Sequence, residues 1–298
     1  MNHKILCVDL DATLLCDDKS ITQKNREAIH RMLEAGHYIA LATGRPVETA
    51  REVARELGLN TPGCYMIAFN GAVLYDCAAD RVLLKRSLPI EIVQELFDKA
   101  KRAGLYVQTY NSTDLITTKH TKELDYYVKQ ARISYKISPN ILDALEEEPQ
   151  KVMLISLDQR DKLERFQKKN LNWEKGKCNS FFSSSQYLEY SPKNTSKATG
   201  ILELTKILNM PMDATVAVGD EDNDVPMIKT ACIGVAVKNA TEKAKAAADY
   251  VTVNDNNHDA IAEVIELFIL LDRDFLQSVK WCYFPARALI SVRTEYGI

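Results

Sequence analysis

In the first third of the chain, short apolar runs typical of buried strands alternate with stretches that have the apolar spacing of amphipathic helices. Short apolar runs at 5–8, 38–42 and 65–69 predict buried strands. Between them, apolar residues recur every three or four positions after Thr22 and after Pro46, and each stretch closes at a glycine. This β-α-β-α-β order predicts a parallel sheet with right-handed crossovers.

The pattern changes in the middle of the chain, where strand-like and helical segments mix without the regular alternation. We therefore predict an inserted α+β domain over roughly 84–190. From about 196 the alternating pattern returns, with an apolar run at 215–218. The tail, 272–298, is too aromatic for a solvated disordered end, and we expect it to pack on the core. A dimer contact and a membrane-surface element are the alternatives for the tail.

Composition narrows the class of protein. Apolar residues make up 46% of the chain and charged residues 27%, which is typical of a globular protein with a full core. The net charge of −3 gives no reason to expect nucleic acid or an anionic membrane as a partner. The seven cysteines contain no Cys-x-x-Cys pair, and this favours a reduced, cytoplasmic location. The late apolar stretch at 260–271 is too short to span a bilayer. The oligomeric state stays open.

Asp9 and Asp11 directly follow the first apolar run. A strand places residues two apart on the same face, so we expect both carboxylates to converge on one point. Buried carboxylates are costly unless a metal or hydrogen bonds compensate them. Phosphoryl transfer through an aspartyl-phosphate needs an ionised nucleophile beside a second group that carries a proton. The alternative is that both residues only form a turn.

A second acidic cluster follows the apolar run at 215–218. Asp220 ends this predicted strand, and Asp224 is expected one helical turn further on the same side. Mg²⁺ prefers oxygen ligands, which Asp9, the backbone carbonyl of Asp11 and Asp220 could supply, with Asp224 as a direct or outer ligand. The alternative is an acidic helix start that only favours the helix dipole.

Other polar residues lie at predicted helix starts, where free backbone N–H groups bind anions. Thr43 and Gly44 precede one helix, although a capping threonine would explain the same residues. Lys197 begins another helix, an unfavourable place for a cation unless a negative partner such as Asp9 or a phosphate compensates it. Asn223 could orient the acidic groups or simply cap.

Together these residues resemble the haloacid dehalogenase-like (HAD) superfamily of phosphatases. The matching strings are Asp9-Leu10-Asp11-Ala12-Thr13, Thr43-Gly44-Arg45, Lys197 and Gly219-Asp220-x-x-Asn223-Asp224. The strings Phe69-Asn70-Gly71-Ala72 and Tyr190-Ser191-Pro192-x-x-x-Ser196-Lys197 resemble the Cof-type branch, which carries a type IIB cap. The resemblance implies an α/β fold with a Rossmann-like parallel-sheet core at 1–83 and 191–271, an inserted α/β cap domain at 84–190, and a C-terminal extension at 272–298.

The resemblance also implies a role for each matching residue. Asp9 would be the nucleophile, and Asp11 would protonate the leaving oxygen and then activate water. The substrate phosphate would be bound by Thr43, Gly44, Lys197 and Asn223. Arg45 and Asn70 would be possible contacts to the rest of the substrate. The Mg²⁺ ligands would be Asp9, Asp11, Asp220 and Asp224.

The chain departs from the family pattern at Ala12 and Asn194, where glycine is usual. The turn after Asp11 must tolerate the methyl group of Ala12, with a small effect expected, and asparagine at 194 tolerates left-handed backbone geometry. The implied activity is a Mg²⁺-dependent phosphatase acting on small phosphorylated metabolites such as sugar phosphates. A phosphosugar mutase on the same scaffold and a catalytically idle sensor of a phosphorylated ligand are the alternatives. The sequence does not identify the substrate.

Overall fold

The computed structural model describes residues 3–111, 113–131 and 133–271. The tail at 272–298, for which packing on the core is expected, lies outside the described residues. The strands are β1 (Ile5–Val8), β2 (Tyr38–Ala42), β3 (Cys64–Ala68), β4 (Val73–Asp76), β5 (Arg81–Lys85), β6 (Tyr106–Tyr110), β7 (Asp114–Thr117), β8 (Ser134–Ile137), β9 (Val152–Ile155), β10 (Cys178–Ser184), β11 (Tyr187–Pro192), β12 (Thr215–Gly219), β13 (Ile233–Ala236) and β14 (Tyr250–Val251). The α-helices are α1 (Gln23–Glu34), α2 (Val47–Glu56), α3 (Ile90–Arg102), α4 (Lys122–Ala131), α5 (Arg160–Glu174), α6 (Lys197–Ile207), α7 (Val225–Thr230), α8 (Glu242–Ala247) and α9 (Ala260–Val264).

The chain forms two compact units. Of the described residues, unit 1 contains those up to Ala40 and those from Leu208 to Leu271, and unit 2 is Leu41–Ile207. The predicted domain boundaries at 83/84, 190/191 and 271/272 stay a prediction, because the units divide the chain at other places. Among the described helices, none has both the length and the apolar character needed to cross a membrane.

Unit 1 is built on parallel strands in the order β14-β13-β12-β1-β2, the last of which continues into unit 2. In the β1–β12 pair, Ile5 lies opposite Thr215 and Val8 opposite Val218. Every residue of both strands is buried, as expected for a parallel sheet covered on both faces. Helix α1 begins at the cap residue Thr22, whose side chain accepts a hydrogen bond from the Asn25 N–H.

Unit 2 contains β3, β4 and β5, which pair antiparallel in that order. Its described residues also form a six-stranded sheet in the order β10-β11-β9-β6-β7-β8. Helix α3 and helix α5 pack on this second sheet and bury a core that includes Val93, Leu96 and Leu163. The sequence pattern did not predict β7, α4 or β8. It also placed the end of β3 at Phe69, one residue too far, because Phe69 has a left-handed φ of 50° and leaves the strand. The predicted α/β fold with a parallel-sheet core is confirmed.

Candidate active site

An acidic cluster lies in unit 1 where β1 and β12 end. Asp9 follows β1, and its N–H donates to the Val218 carbonyl at 3.0 Å, so the register of the two strands fixes its position. One carboxylate oxygen from each of Asp9, Asp220 and Asp224 lies within 4.8 Å of the others. The three residues are buried, with exposed fractions of 7%, 6% and 0%. The structure thus brings together acidic residues that lie more than 200 positions apart in the chain.

Asp224 reaches this cluster through a tight turn. The expectation of a helical turn between Asp220 and Asp224 is wrong, because α7 begins only at Val225. Instead, the Asp224 N–H donates to the Glu221 carbonyl, and Asp224 Oδ2 accepts from the N–H groups of Asp220 and Glu221 at 3.0 and 3.1 Å. These bonds aim the carboxylate back at the strand end. Asn223 is half-buried in the same turn.

The loop after Asp9 does not continue the strand, so the expectation that Asp9 and Asp11 share a strand face is wrong. The chain turns over Leu10–Leu14, and Ala12 has φ 56° and ψ 14°. This is the left-handed geometry for which glycine would be usual, and Asn239 Nδ2 donates to the Ala12 carbonyl at 2.8 Å. The Asp11 carboxylate is 46% exposed and forms an ion pair with Lys19 at 2.9 Å.

Thr13 adds a contact that the sequence reasoning did not use. Its hydroxyl donates to Asp220 Oδ1 at 2.8 Å, and the residue is fully buried. The bond fixes the orientation of the Asp220 carboxylate. Thr13 was already part of the first acidic string, so a hydroxyl beside two carboxylates was the available signal.

Thr43, Gly44, Arg45 and Asn70 lie together in unit 2. Two adjacent turns hold them, because the Asn70 N–H donates to the Thr43 carbonyl and the Phe69 N–H donates to the Arg45 carbonyl. Thr43 is 1% exposed, and its Oγ1 accepts from the Arg45 N–H at 3.1 Å. A Cβ on Gly44 would lie 3.1 Å from Asn70 Nδ2, so the two turns are in close contact.

Lys197 begins α6, as predicted, and is 1% exposed. The start of this helix is held by a reciprocal pair, in which the Ser196 N–H donates to Thr199 Oγ1 and the Thr199 N–H donates to Ser196 Oγ. A Cβ on Gly200 would lie 3.3 Å from the Gly71 Cα, so the turn that carries Asn70 packs directly on α6.

The acidic cluster has the chemistry of a divalent-metal site. Three buried carboxylates are costly without a compensating cation. Their donors are all oxygen, which suits a hard ion such as Mg²⁺ or Mn²⁺ rather than a thiolate-bound or imidazole-bound metal. Asp9, Asp220 and Asp224 would hold the ion. The Asp11 side chain is directed to Lys19 instead, so the predicted share of Asp11 would fall to its backbone carbonyl.

Comparison with known proteins gives the family. A family model described as haloacid dehalogenase-like hydrolase matches residues 6–265. The chain belongs to this family. A Bacillus subtilis relative, the 5-amino-6-(5-phospho-D-ribitylamino)uracil phosphatase YcsE, is 28% identical over 90% of this chain and 96% of its own length. The crystal structure of a haloacid dehalogenase-like hydrolase from Bacteroides thetaiotaomicron is 30% identical, with a TM-score of 0.82, and covers 89% of this chain and 99% of that chain.

A second solved structure shares the fold. A HAD subclass IIB sugar phosphatase, BT4131, shares the fold with a TM-score of 0.74 over 89% of this chain and 98% of that chain, at 22% identity. The resemblance to the HAD superfamily and its Cof-type branch is confirmed by the family model, and the solved structures that share the fold include this subclass IIB enzyme. The chain is an enzyme, a phosphatase of the haloacid dehalogenase-like hydrolases.

Proposed function

We propose that this phosphatase is Mg²⁺-dependent and hydrolyses small phosphorylated metabolites, foremost sugar phosphates, through an aspartyl-phosphate. The observation that carries the proposal is the convergence of Asp9 with Asp220 and Asp224 at the ends of two buried parallel strands. A carboxylate held beside two others can act both as nucleophile and as metal ligand. The metal supplies positive charge that offsets the charge of the phosphoryl group.

The chain's own residues would carry the bond changes. Asp9 attacks phosphorus through one carboxylate oxygen, the ester P–O bond breaks, and the leaving oxygen takes a proton from Asp11. Asp11 then accepts a proton from water, which attacks phosphorus, and the bond to Asp9 breaks with release of phosphate. The half-exposed position of Asp11 supports this role, since a proton carrier must reach both water and substrate. The proposal assigns the phosphoryl oxygens to Thr43, Gly44, Lys197 and Asn223.

The substrate class rests on the relatives and on the predicted cap. The Bacillus subtilis relative acts, by its name, on a phosphorylated ribityl compound, and this supports a small polyhydroxylated leaving group. Arg45 and Asn70 are the proposed contacts on that side. Asn70 is 3% exposed and already bonded to Glu189, so Arg45, which is half-buried, is the more accessible of the two. Six free cysteines among the described residues support a reducing, cytoplasmic location.

The test is phosphate release from a panel of phosphorylated metabolites, with Mg²⁺ and with a chelator. We expect turnover only with the metal and loss of turnover in Asp9→Asn, with an unchanged circular dichroism spectrum. Asp213→Asn, at an exposed position of unit 1, is the matched control and should keep full activity. Activity retained by Asp9→Asn would overturn the assignment of the nucleophile. An isomerised phosphate ester in place of inorganic phosphate would indicate the mutase, and binding without release would indicate the sensor.

A further inference from the structure

A buried ion pair lies in unit 2, at the second sheet. Lys151 directly precedes β9 and Glu189 lies on β11, and their charged atoms are 3.3 Å apart. The two side chains are only 3% and 4% exposed. Removing two charges from water costs more than such a pair commonly returns in stability. The pair therefore calls for an explanation other than folding.

Lys151 reaches out of its own sheet to the turn that carries Thr43. Its Nζ donates to the Gly44 carbonyl at 3.0 Å. The lysine backbone is itself fixed, because Thr109 Oγ1 donates to the Lys151 carbonyl at 2.7 Å. The ammonium also lies 5.2 Å from the centre of the Tyr110 ring and 6.0 Å from that of Phe69, within the range of cation–π contacts.

The Gly44 carbonyl and the Arg45 N–H belong to the same peptide unit, and that N–H donates to Thr43 Oγ1 at 3.1 Å. A cation on the carbonyl polarises the peptide and strengthens the donation at its other end. Because Thr43 Oγ1 accepts this hydrogen bond, its own proton must be directed away from the Arg45 N–H. Lys151 thus acts on the hydroxyl of Thr43 through one peptide bond.

Glu189 holds the lysine and the second turn together. Its Oε2 accepts from Lys151 and from Asn70 Nδ2, each at 3.3 Å, and its Oε1 accepts from Ser183 at 2.6 Å. The carboxylate therefore has a donor on each oxygen. Asn70 is bonded through its N–H to the Thr43 carbonyl, so the same ion pair touches both turns. Nearby, burial raises the pKa of Tyr110 well above its usual range, so that phenol stays neutral.

We propose that Lys151, held in place by Glu189, is a positioning residue that orients the Thr43 hydroxyl toward a phosphoryl oxygen of the substrate. The inference rests on the proposed function, in which Thr43 binds the phosphate. Through the buried charge of Lys151, the second sheet would help to set the geometry of phosphate binding. Orienting Thr43 affects binding of the phosphoryl group, so a change at Lys151 should have the same effect whatever the leaving group is.

A double-mutant cycle between Lys151→Met and Thr43→Val tests this coupling. Each single variant is expected to lower kcat/KM by roughly tenfold and to raise the inhibition constant of inorganic phosphate. In the Thr43→Val background, Lys151→Met should change kcat/KM by less than about twofold, since the hydroxyl that it orients is gone. The loss should be equal for p-nitrophenyl phosphate and for a sugar phosphate.

Lys162→Met is the matched control, because Lys162 also donates to a glycine carbonyl, that of Gly104, at 3.1 Å on the exposed surface. It should leave kcat/KM unchanged. If Lys151→Met does not fold, the variant that combines it with Glu189→Gln leaves no unpaired buried charge and takes its place in the cycle. Losses that multiply in the double variant, or no loss at all, would overturn the inference. A wild-type enzyme without phosphatase activity would instead refute the proposed function.

Discussion

Gly219 and Asp224 approach so closely that a side chain on the glycine has no room. A Cβ built on Gly219 would lie 2.5 Å from the Cβ and Cγ atoms of Asp224 and 2.7 Å from its Oδ2. The absence of a side chain at the end of β12 is therefore what lets Asp224 fold back to accept hydrogen bonds from Asp220 and Glu221. The acidic cluster depends on this contact as much as on its carboxylates.

We predict that Gly219→Ala displaces Asp224 and lowers the affinity for Mg²⁺ by at least about tenfold, a loss typical of disturbing the groups that orient metal ligands. Calorimetric titration with the metal measures it. Gly176→Ala is the control, because no atom lies within 4 Å of its added Cβ; with φ at +83°, that variant should lower thermal stability only. Unchanged metal affinity in Gly219→Ala would show that Asp224 does not contribute to the site.

Thr13 gives a second, milder perturbation of the same cluster. Thr13→Val keeps the shape of the side chain and removes the hydrogen bond to Asp220 Oδ1. Metal affinity should fall by roughly tenfold while the fold persists. The same substitution at Thr205, a buried threonine whose hydroxyl donates to the Ile201 carbonyl within α6, should cost some stability without a change in metal affinity. Equal metal affinity in the two variants would contradict a role for Thr13.

His37 should make unit 1 less stable in mild acid. Burial, the charge of Lys4 and that of His3 lower the pKa of His37, and its Nδ1 accepts a hydrogen bond from the Lys4 N–H at 3.0 Å. Because the folded-state pKa lies below the unfolded value of about 6.5, the contribution to stability is present above that pH. It is lost as the pH falls through the folded pKa.

The measurement is a histidine NMR titration together with thermal unfolding at several pH values. His37 should titrate below about 6.5, and His37→Gln should flatten the decline in stability on acidification from neutral pH. A midpoint above 6.5, or an unchanged pH dependence in the variant, would contradict the prediction.

The sequence predicted those features that depend on local pattern. The apolar runs placed β1 and β12 correctly, Thr22 caps α1, and Asn194 has the left-handed φ of 57° that its tolerance of such geometry allowed. It missed β8 because every residue of that strand is exposed, so no buried face imposes a periodicity. The turn that follows Asp9 was only the alternative reading, because aspartate after an apolar run suits both the last residues of a strand and a turn.

The Lys151–Glu189 pair could not be predicted from the sequence, for a physical reason. The two residues are 38 positions apart, and the residues around either one do not indicate that the other is its partner. A buried charge is recognised only through its partners, and these come from strands and turns whose pairing no local pattern specifies. The acidic cluster could be predicted because each of its members directly follows or lies just beyond an apolar run.

The pairing of β1 with β12 also sets the timing of assembly during synthesis. Ile5 and Thr215 are neighbours in the folded chain, so β1 must wait for some two hundred further residues to leave the ribosome. At about 5–20 residues per second this delay is roughly 10–40 s, during which β1 lacks its neighbour on the β12 side. A chaperone that shields the nascent amino-terminal strand should therefore raise the yield of native enzyme, whereas one that acts only after release should come too late for part of it.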